Sequence, residues 1–141
     1  MKHLVAAIIM LTIVTSGISA AEELDFGELY VPGILGLSLA PKAQAMSGKK
    51  IDFLGFMAPP LRATGRFFVL TKEPVSLCPF CNSDADWPAD IVVIYLKKEE
   101  TFVQRNRPIL VSGRLELGSY RDPDTGFVSL VRLVDASYRD R

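Results

Sequence analysis

The chain has 141 residues, with 16 basic and 16 acidic side chains, two cysteines and one histidine. That length suits one domain, and the balanced charge argues against nucleic acid or an anionic membrane surface as partner. The histidine is His3, inside an apolar leader, so a chain without that leader has no Ser-His-Asp, Cys-His or His-ligated zinc chemistry.

The leader reads "MKHLVAAIIMLTIVTSGISAAEEL". Lys2 and His3 precede an apolar run from Leu4 to Val14, and small residues follow from Thr15 to Ala21. This is the pattern of a secretory signal peptide, with cleavage expected after Ala21 or Ala20. The run is too short to span a hydrocarbon core of roughly 30 Å, which takes about 20 residues. The expectation is a periplasmic or secreted protein with no membrane span after cleavage. No cysteine lies near the cleavage site, so no lipid attachment is expected there. The chain then divides into a signal peptide, 1–21, an N-terminal extension packing on the domain, 22–47, and a barrel domain, 48–141.

The extension carries scattered glycine and proline and is expected to be mostly irregular. Within it, "PKAQAM" predicts a short helix, with Pro41 at the first helical position and Gly48 as the stop. Leu29, Tyr30, Ile34 and Leu35 are apolar enough to pack on the domain. From Lys49 the pattern turns to strands. "KKIDFLGFM" alternates Ile51, Phe53, Gly55 and Met57, while "RFFVLT" and "DIVVIYL" are β-branched and aromatic runs. "PILVSGRLEL" sets Ile109, Val111, Gly113, Leu115 and Leu117 on one face against Ser112, Arg114 and Glu116. "GFVSLVRLVDA" is the fifth strand. The turn "SYRDPDTGF" joins the last two, with Pro123 presetting φ, Asp122 and Asp124 as local caps and Gly126 free to take positive φ. Between the third and fourth strands, "KKEETFVQRN" has room for two helical turns at most, and Lys97–Glu100 reads as a solvated turn.

Two strands place a glycine four residues after an isoleucine, at Ile51–Gly55 and Ile109–Gly113. A glycine inside a strand marks a bulge or a sharp coil, which small closed barrels require. The fold class that follows is all-β: a small five-stranded, OB-like Greek-key barrel with a mostly irregular N-terminal extension. OB barrels often bind nucleic acid or oligosaccharide, although a fold does not determine a function.

The segments "SGKKIDFLGFMAPPL", "FFVLTKEPVSLCPFC", "DWPADIVVIYL", "RPILVSGRLELG" and "DPDTGFVSLVRLVDA" together resemble a family of exported bacterial OB-like proteins of unknown function. The shared pattern is a G-[FY]-M-x-P strand end, an aromatic F-x-L strand, a cysteine-containing loop and a closing D-x-x-T-G hairpin, and it covers Gly48 to Ala136. The resemblance implies an accessory protein encoded near ABC-type transport or metal-homeostasis systems. Some relatives carry a histidine shortly after the first cysteine, where this chain has Cys81.

The loop "SLCPFCNSDADWP" holds both cysteines and admits three chemistries. Cys78 and Cys81 form half of many zinc sites, and their thiolates also suit Cu(I). Asp84 and Asp86 are the remaining candidate ligands, with Met57 a conceivable helper. A complete structural zinc site contributes about 10–16 kcal/mol in peptides, and half a site far less, so the core has to fold without the metal. The same tetrapeptide resembles the active site of thiol–disulfide oxidoreductases. Those enzymes lower the thiol pKa at a helix N-terminus, whereas Asn82, Ser83, Asp84, Asp86 and Pro88 favour a loop here and the two acids oppose a thiolate. In the third reading the pair is a local disulfide of an exported structural protein, worth about 2 kcal/mol by loop entropy. Met57, Phe80 and Trp87 are candidates for a partner-docking patch, and Arg62 and Arg66 lie near it as possible anion ligands. The functional expectation is a non-enzymatic binding or accessory protein of an envelope transport or metal-homeostasis system, with zinc or copper as possible cofactor and an envelope transporter or another protein as partner.

Overall fold

The computed structural model describes residues 20–34, 36–76 and 88–141. Eight strands follow in chain order: β1 (Glu22–Glu23), β2 (Tyr30–Gly33), β3 (Gly36–Leu39), β4 (Lys50–Met57), β5 (Thr64–Thr71), β6 (Ile91–Thr101), β7 (Ile109–Arg121) and β8 (Val128–Asp140). A 3₁₀ turn at Phe26–Glu28 and one short helix, α1 (Pro41–Met46), complete the described elements. Strands β4, β5, β6, β8 and β7 pair in that order, and β7 pairs back onto β4. The pairings are antiparallel except β6 with β8, which run parallel. This is the Greek-key path of the OB barrel expected from the strand pattern.

Closure is narrow at one seam. One edge of β4 pairs with β7 from Lys50 to Gly55, but its other edge meets β5 only at Phe56–Thr71 and Met57–Leu70. Gly55 stands at the corner where this second pairing begins. A Cβ there would lie 2.7 Å from the Thr71 carbonyl oxygen and 2.8 Å from Leu70 Cγ. Gly113 answers a different need. β8 carries a bulge opposite it, between the pairs Ser112–Ser137 and Arg114–Val134, and Asp135 takes a positive φ of 50° there. A Cβ on Gly113 would press to 3.0 Å on both Ala136 and Leu133. Both glycines flagged by the sequence pattern thus sit where the sheet bends or bulges.

The rest of the free β4 edge is taken by the extension. β1 pairs in parallel with Ile51 and Asp52, and the Leu24 amide donates to the Asp52 carbonyl at 3.1 Å. Phe26 then meets Phe53 edge-on at 4.7 Å. Leu24, Phe26, Leu29, Ala43 and Met46 join Ile51, Phe53, Val111 and Leu133 in one buried cluster. The α1 helix begins with Pro41 at its first turn, and Gly48 after it has φ of 81°, as the sequence predicts.

Two details differ from expectation. Part of the extension is ordered as a β2–β3 hairpin, and Ile34 at its tip is fully exposed, while Leu35 lies outside the described residues. Lys97–Glu100 is strand rather than turn: Glu100 pairs with Gly65 and Thr101 with Thr64. No helix separates β6 from β7, because β6 runs on to Thr101 and Phe102 turns inward against Phe68. Charged residues with weak strand propensity are held there by tertiary pairing.

The apolar runs of β5 and β6 lack alternation because both their faces are covered. Phe68, Leu70, Val92 and Ile94 point into the barrel. Val69, Ile91 and Val93 form a second buried cluster with Ala58 from the β4–β5 loop and Phe127 from the β7–β8 turn.

Replacement of Phe26 by alanine removes a buried ring from the seam and is expected to cost about 3–5 kcal/mol. Gly55→Ala forces β5 away from β4 at the corner and should cost about 1–3 kcal/mol. Urea denaturation of each variant against wild type, at unchanged m-value, measures both.

Candidate functional site

The outer cluster ends in a groove of about 410 Å³ over the Gly65–Phe67 and Tyr95–Glu99 half of the β5–β6 hairpin. Its walls are the β4–β5 loop, with Leu61 and Arg62, and the β7–β8 turn, with Asp122 to Thr125. The volume falls within the roughly 300–1,000 Å³ of small-ligand sites. The place is the strand-two, strand-three face between the first and last barrel loops, where OB barrels bind.

The floor is shaped by an irregularity. Gly65 pairs with Glu100 but Phe67 with Tyr95, so extra residues of β6 arch outward between them. An arch of this kind strips carbonyls of their ladder partners. Arg66 supplies the donors: its Nε reaches the Leu96 carbonyl at 3.2 Å and its Nη2 the Lys97 carbonyl at 2.9 Å. Arg66 therefore builds the floor as well as lining it.

The aromatic wall is Phe67, Tyr95 and Tyr120. Phe67 packs on Phe127 at 5.2 Å and on Tyr95 at 5.5 Å, and Tyr95 meets Tyr120 edge-on at 6.0 Å. Tyr120 is 40 % exposed. Its ring is held by Arg132, whose guanidinium carbon lies 4.8 Å from the ring centre, a cation–π contact. Arg132 is buried. It donates from Nε to Glu116 at 3.1 Å and from Nη1 to the Gly118 carbonyl at 2.8 Å. Gly118, with φ of 103°, begins a β7 bulge between the pairs Leu117–Val131 and Tyr120–Ser129. The buried arginine thus anchors the bulge and the ring it presents.

The turn at the groove's rim is a local cap. Asp122 Oδ1 accepts from the Asp124 amide at 3.1 Å, the Thr125 amide at 2.7 Å and the Thr125 hydroxyl at 2.8 Å. Gly126 closes the turn with φ of 74° and donates to the Asp122 carbonyl at 2.8 Å. Burial pushes the Asp122 carboxyl up, but the Thr125 hydroxyl and the two amides outweigh it and hold the group below its ordinary value. The Tyr95 hydroxyl is buried beside this carboxylate. Burial first, and the Asp122 charge second, hold that phenol far above its usual range, so it stays protonated.

The structure gathers Arg62 and Arg66 at this groove, the two cations marked in the sequence near the "MAPPL" segment. Met57 is 4 % exposed and belongs to the main core, paired with Leu70. Cys78, Cys81, Asp84, Asp86, Phe80 and Trp87 lie outside the described residues. In sequence they fall between β5 and β6, whereas the groove walls come from the β4–β5 loop and the β7–β8 turn. Among the described residues no group of three His, Cys, Asp or Glu side chains could hold a metal ion. No helix among them is long and apolar enough to cross a membrane. Tyr95, Tyr120 and Arg132 escaped the sequence reading, because Tyr95 and Arg132 read locally as ordinary strand residues and Tyr120 as part of the turn.

No family model and no curated protein matches the chain. Among solved structures, the chain is similar to the crystal structure of a DUF3299 family protein from Pseudomonas aeruginosa. The TM-score is 0.53 at 15 % identity, over 86 % of this chain and 97 % of the other. At that identity the likeness is one of fold.

The depressed Asp122 carboxyl makes the turn acid-sensitive. Its contribution is fully present above the ordinary aspartate value of 3.8 and is lost as pH falls through the lower native value. Asp122→Ala is expected to cost about 1–3 kcal/mol near neutrality, with the gap to wild type narrowing as pH falls below the ordinary aspartate value of 3.8. Thermal unfolding of both proteins as a function of pH measures it.

Proposed function

We propose that this protein is a non-enzymatic binding protein that takes its ligand in the groove over β5 and β6, as an exported accessory of an envelope transport or metal-homeostasis system. The observation that carries the binding reading is the built groove: exposed Tyr120 fixed from below by buried Arg132, and a floor locked by Arg66. A site whose side chains are held before the ligand arrives loses less entropy on binding. Binding is favoured over catalysis because the two buried titratable groups at the rim are poor proton carriers. Asp122 holds three hydrogen bonds on Oδ1 that keep its carboxyl ionised, and Tyr95 keeps its proton. The export reading rests on the leader pattern of residues 2–21 and on the resemblance to exported bacterial OB-like proteins.

A second reading concerns Cys78 and Cys81, whose C-x-x-C spacing supports a zinc or copper half-site, a redox pair or a local disulfide. The pair lies on a different connection from the groove walls, so the two readings stand or fall separately.

Hydrogen exchange of the purified protein, with and without an envelope extract of its native cell, tests the groove. Slowed exchange confined to residues 62–67, 95–100 and 119–126 is expected, and no change in these segments with any extract fraction counts against it. For the cysteines, free thiols are counted in protein purified without reductant, and bound metal is measured by mass spectrometry after reduction and addition of zinc or Cu(I). Two free thiols with one metal per chain are expected for a metal site, whereas an oxidised pair that takes up no metal once reduced sinks it.

A further inference from the structure

We infer that the ligand of this groove is an uncharged saccharide, an inference that rests on the groove being the binding site. Three features of the lining narrow the chemistry.

The backbone of the floor is already spent. β5 and β6 pair with each other across the groove, β6 also pairs with β8, and Arg66 takes the Leu96 and Lys97 carbonyls at the arch. A peptide recognised by strand addition needs a free row of amides and carbonyls, and a floor made from the face of a paired hairpin does not present one. Recognition therefore falls to side chains.

The charge lining the groove is mixed and leans acidic. Arg62 and Arg66 stand with Glu99, Asp122 and Asp124. A strand of phosphates needs a basic track, and three carboxylates at one groove repel it. An uncharged ligand meets no such penalty.

The unspent groups match a polyol. Among the described residues, the side chains of Arg62, Glu99 and Asp124 make no hydrogen bond or ion pair, and Arg66 keeps Nη1 beyond its two bonded nitrogens. Carboxylates accept from hydroxyls and guanidinium groups donate to them. Between them stands the aromatic wall of Phe67, Tyr95 and Tyr120. The electron-rich faces of aromatic rings favour the weakly positive C–H surface of a sugar ring, and the Arg132 contact sets Tyr120 in place for it.

The test is a backbone-amide NMR titration of the purified protein with five defined probes: chitotetraose, cellotetraose, maltotetraose, tetra-alanine and an eight-residue thymidine oligonucleotide. At least one sugar is expected to shift the resonances of Tyr95, Glu99 and Tyr120 saturably, with Tyr120→Ala and Asp124→Ala each weakening it tenfold or more. Asp124 makes no side-chain contact that folding depends on, so that variant reports on binding even if Tyr120→Ala disturbs the bulge. Groove shifts from tetra-alanine or the oligonucleotide, with none from the sugars, overturn the saccharide class and leave the groove reading standing. Absence of groove shifts from all three sugars overturns the inference, while the exchange experiment on the native extract decides separately whether the groove binds anything.

Discussion

The structure depends on how β4 divides its second edge. One edge of the strand is paired with β7 from Lys50 to Gly55, but the other is shared between β1, at Ile51 and Asp52, and β5, at Phe56 and Met57. Sharing is possible because Gly55 lets β5 come closer than any side chain would allow at the corner. A barrel has to tilt and coil its strands to close, and with so few residues the bending concentrates at individual positions. The seam left beside β1 would expose Phe53 and Ile51 were it not for Leu24, Phe26 and Leu29, which place the N-terminal extension within the same buried cluster as the barrel.

Closure in turn sets the groove. Once β5 is drawn to β4, the β4–β5 loop lies over the outer face of the β5–β6 hairpin, and Ala58 packs with Val69, Ile91, Val93 and Phe127. This second cluster fixes the near end of the floor. Further along, the arch in β6 and the bulge at Gly118 interrupt regular pairing, and each interruption is repaired by one arginine. Arg66 satisfies the carbonyls of the arch, and Arg132 satisfies the Gly118 carbonyl while supporting Tyr120. Irregular backbone that stays fully hydrogen-bonded is a stable way to aim side chains. Both arginines look on paper like surface charges.

The strands were legible because their signals are local. The alternation of Ile51, Phe53, Gly55 and Met57 returns as a buried row in β4, and that of Ile109, Val111, Gly113 and Leu115 as a buried row in β7. The turn at Asp122–Gly126 was equally local, since the aspartate caps amides two and three residues on. Lys97–Glu100 misled for the same reason: charged residues of low strand propensity are a local signal for a turn, and their pairing with Thr64 and Gly65 is long-range. Ile34 misled because an apolar residue reads as buried until a hairpin carries it away from every surface. Of the groove, Arg62 and Arg66 were marked by charge, but the aromatic wall could not be. Tyr95 lies in an apolar run and Tyr120 in a turn, and only the register of β6 on β5 and of β7 on β8 brings them to one place.

The sequence alone determined the five barrel strands, the two bending glycines, the capped β7–β8 turn and the short helix at Pro41, because each rests on the preferences of neighbouring residues for φ, ψ and burial. Tertiary structure decided the rest: that β1 and Phe26 seal the barrel seam, that β6 arches outward opposite Arg66, and that Tyr95, Tyr120, Arg62 and Asp124 share one groove. These juxtapositions depend on strand register and on how the ring closes, and a sheet slipped by one residue would turn each of those side chains to its other face.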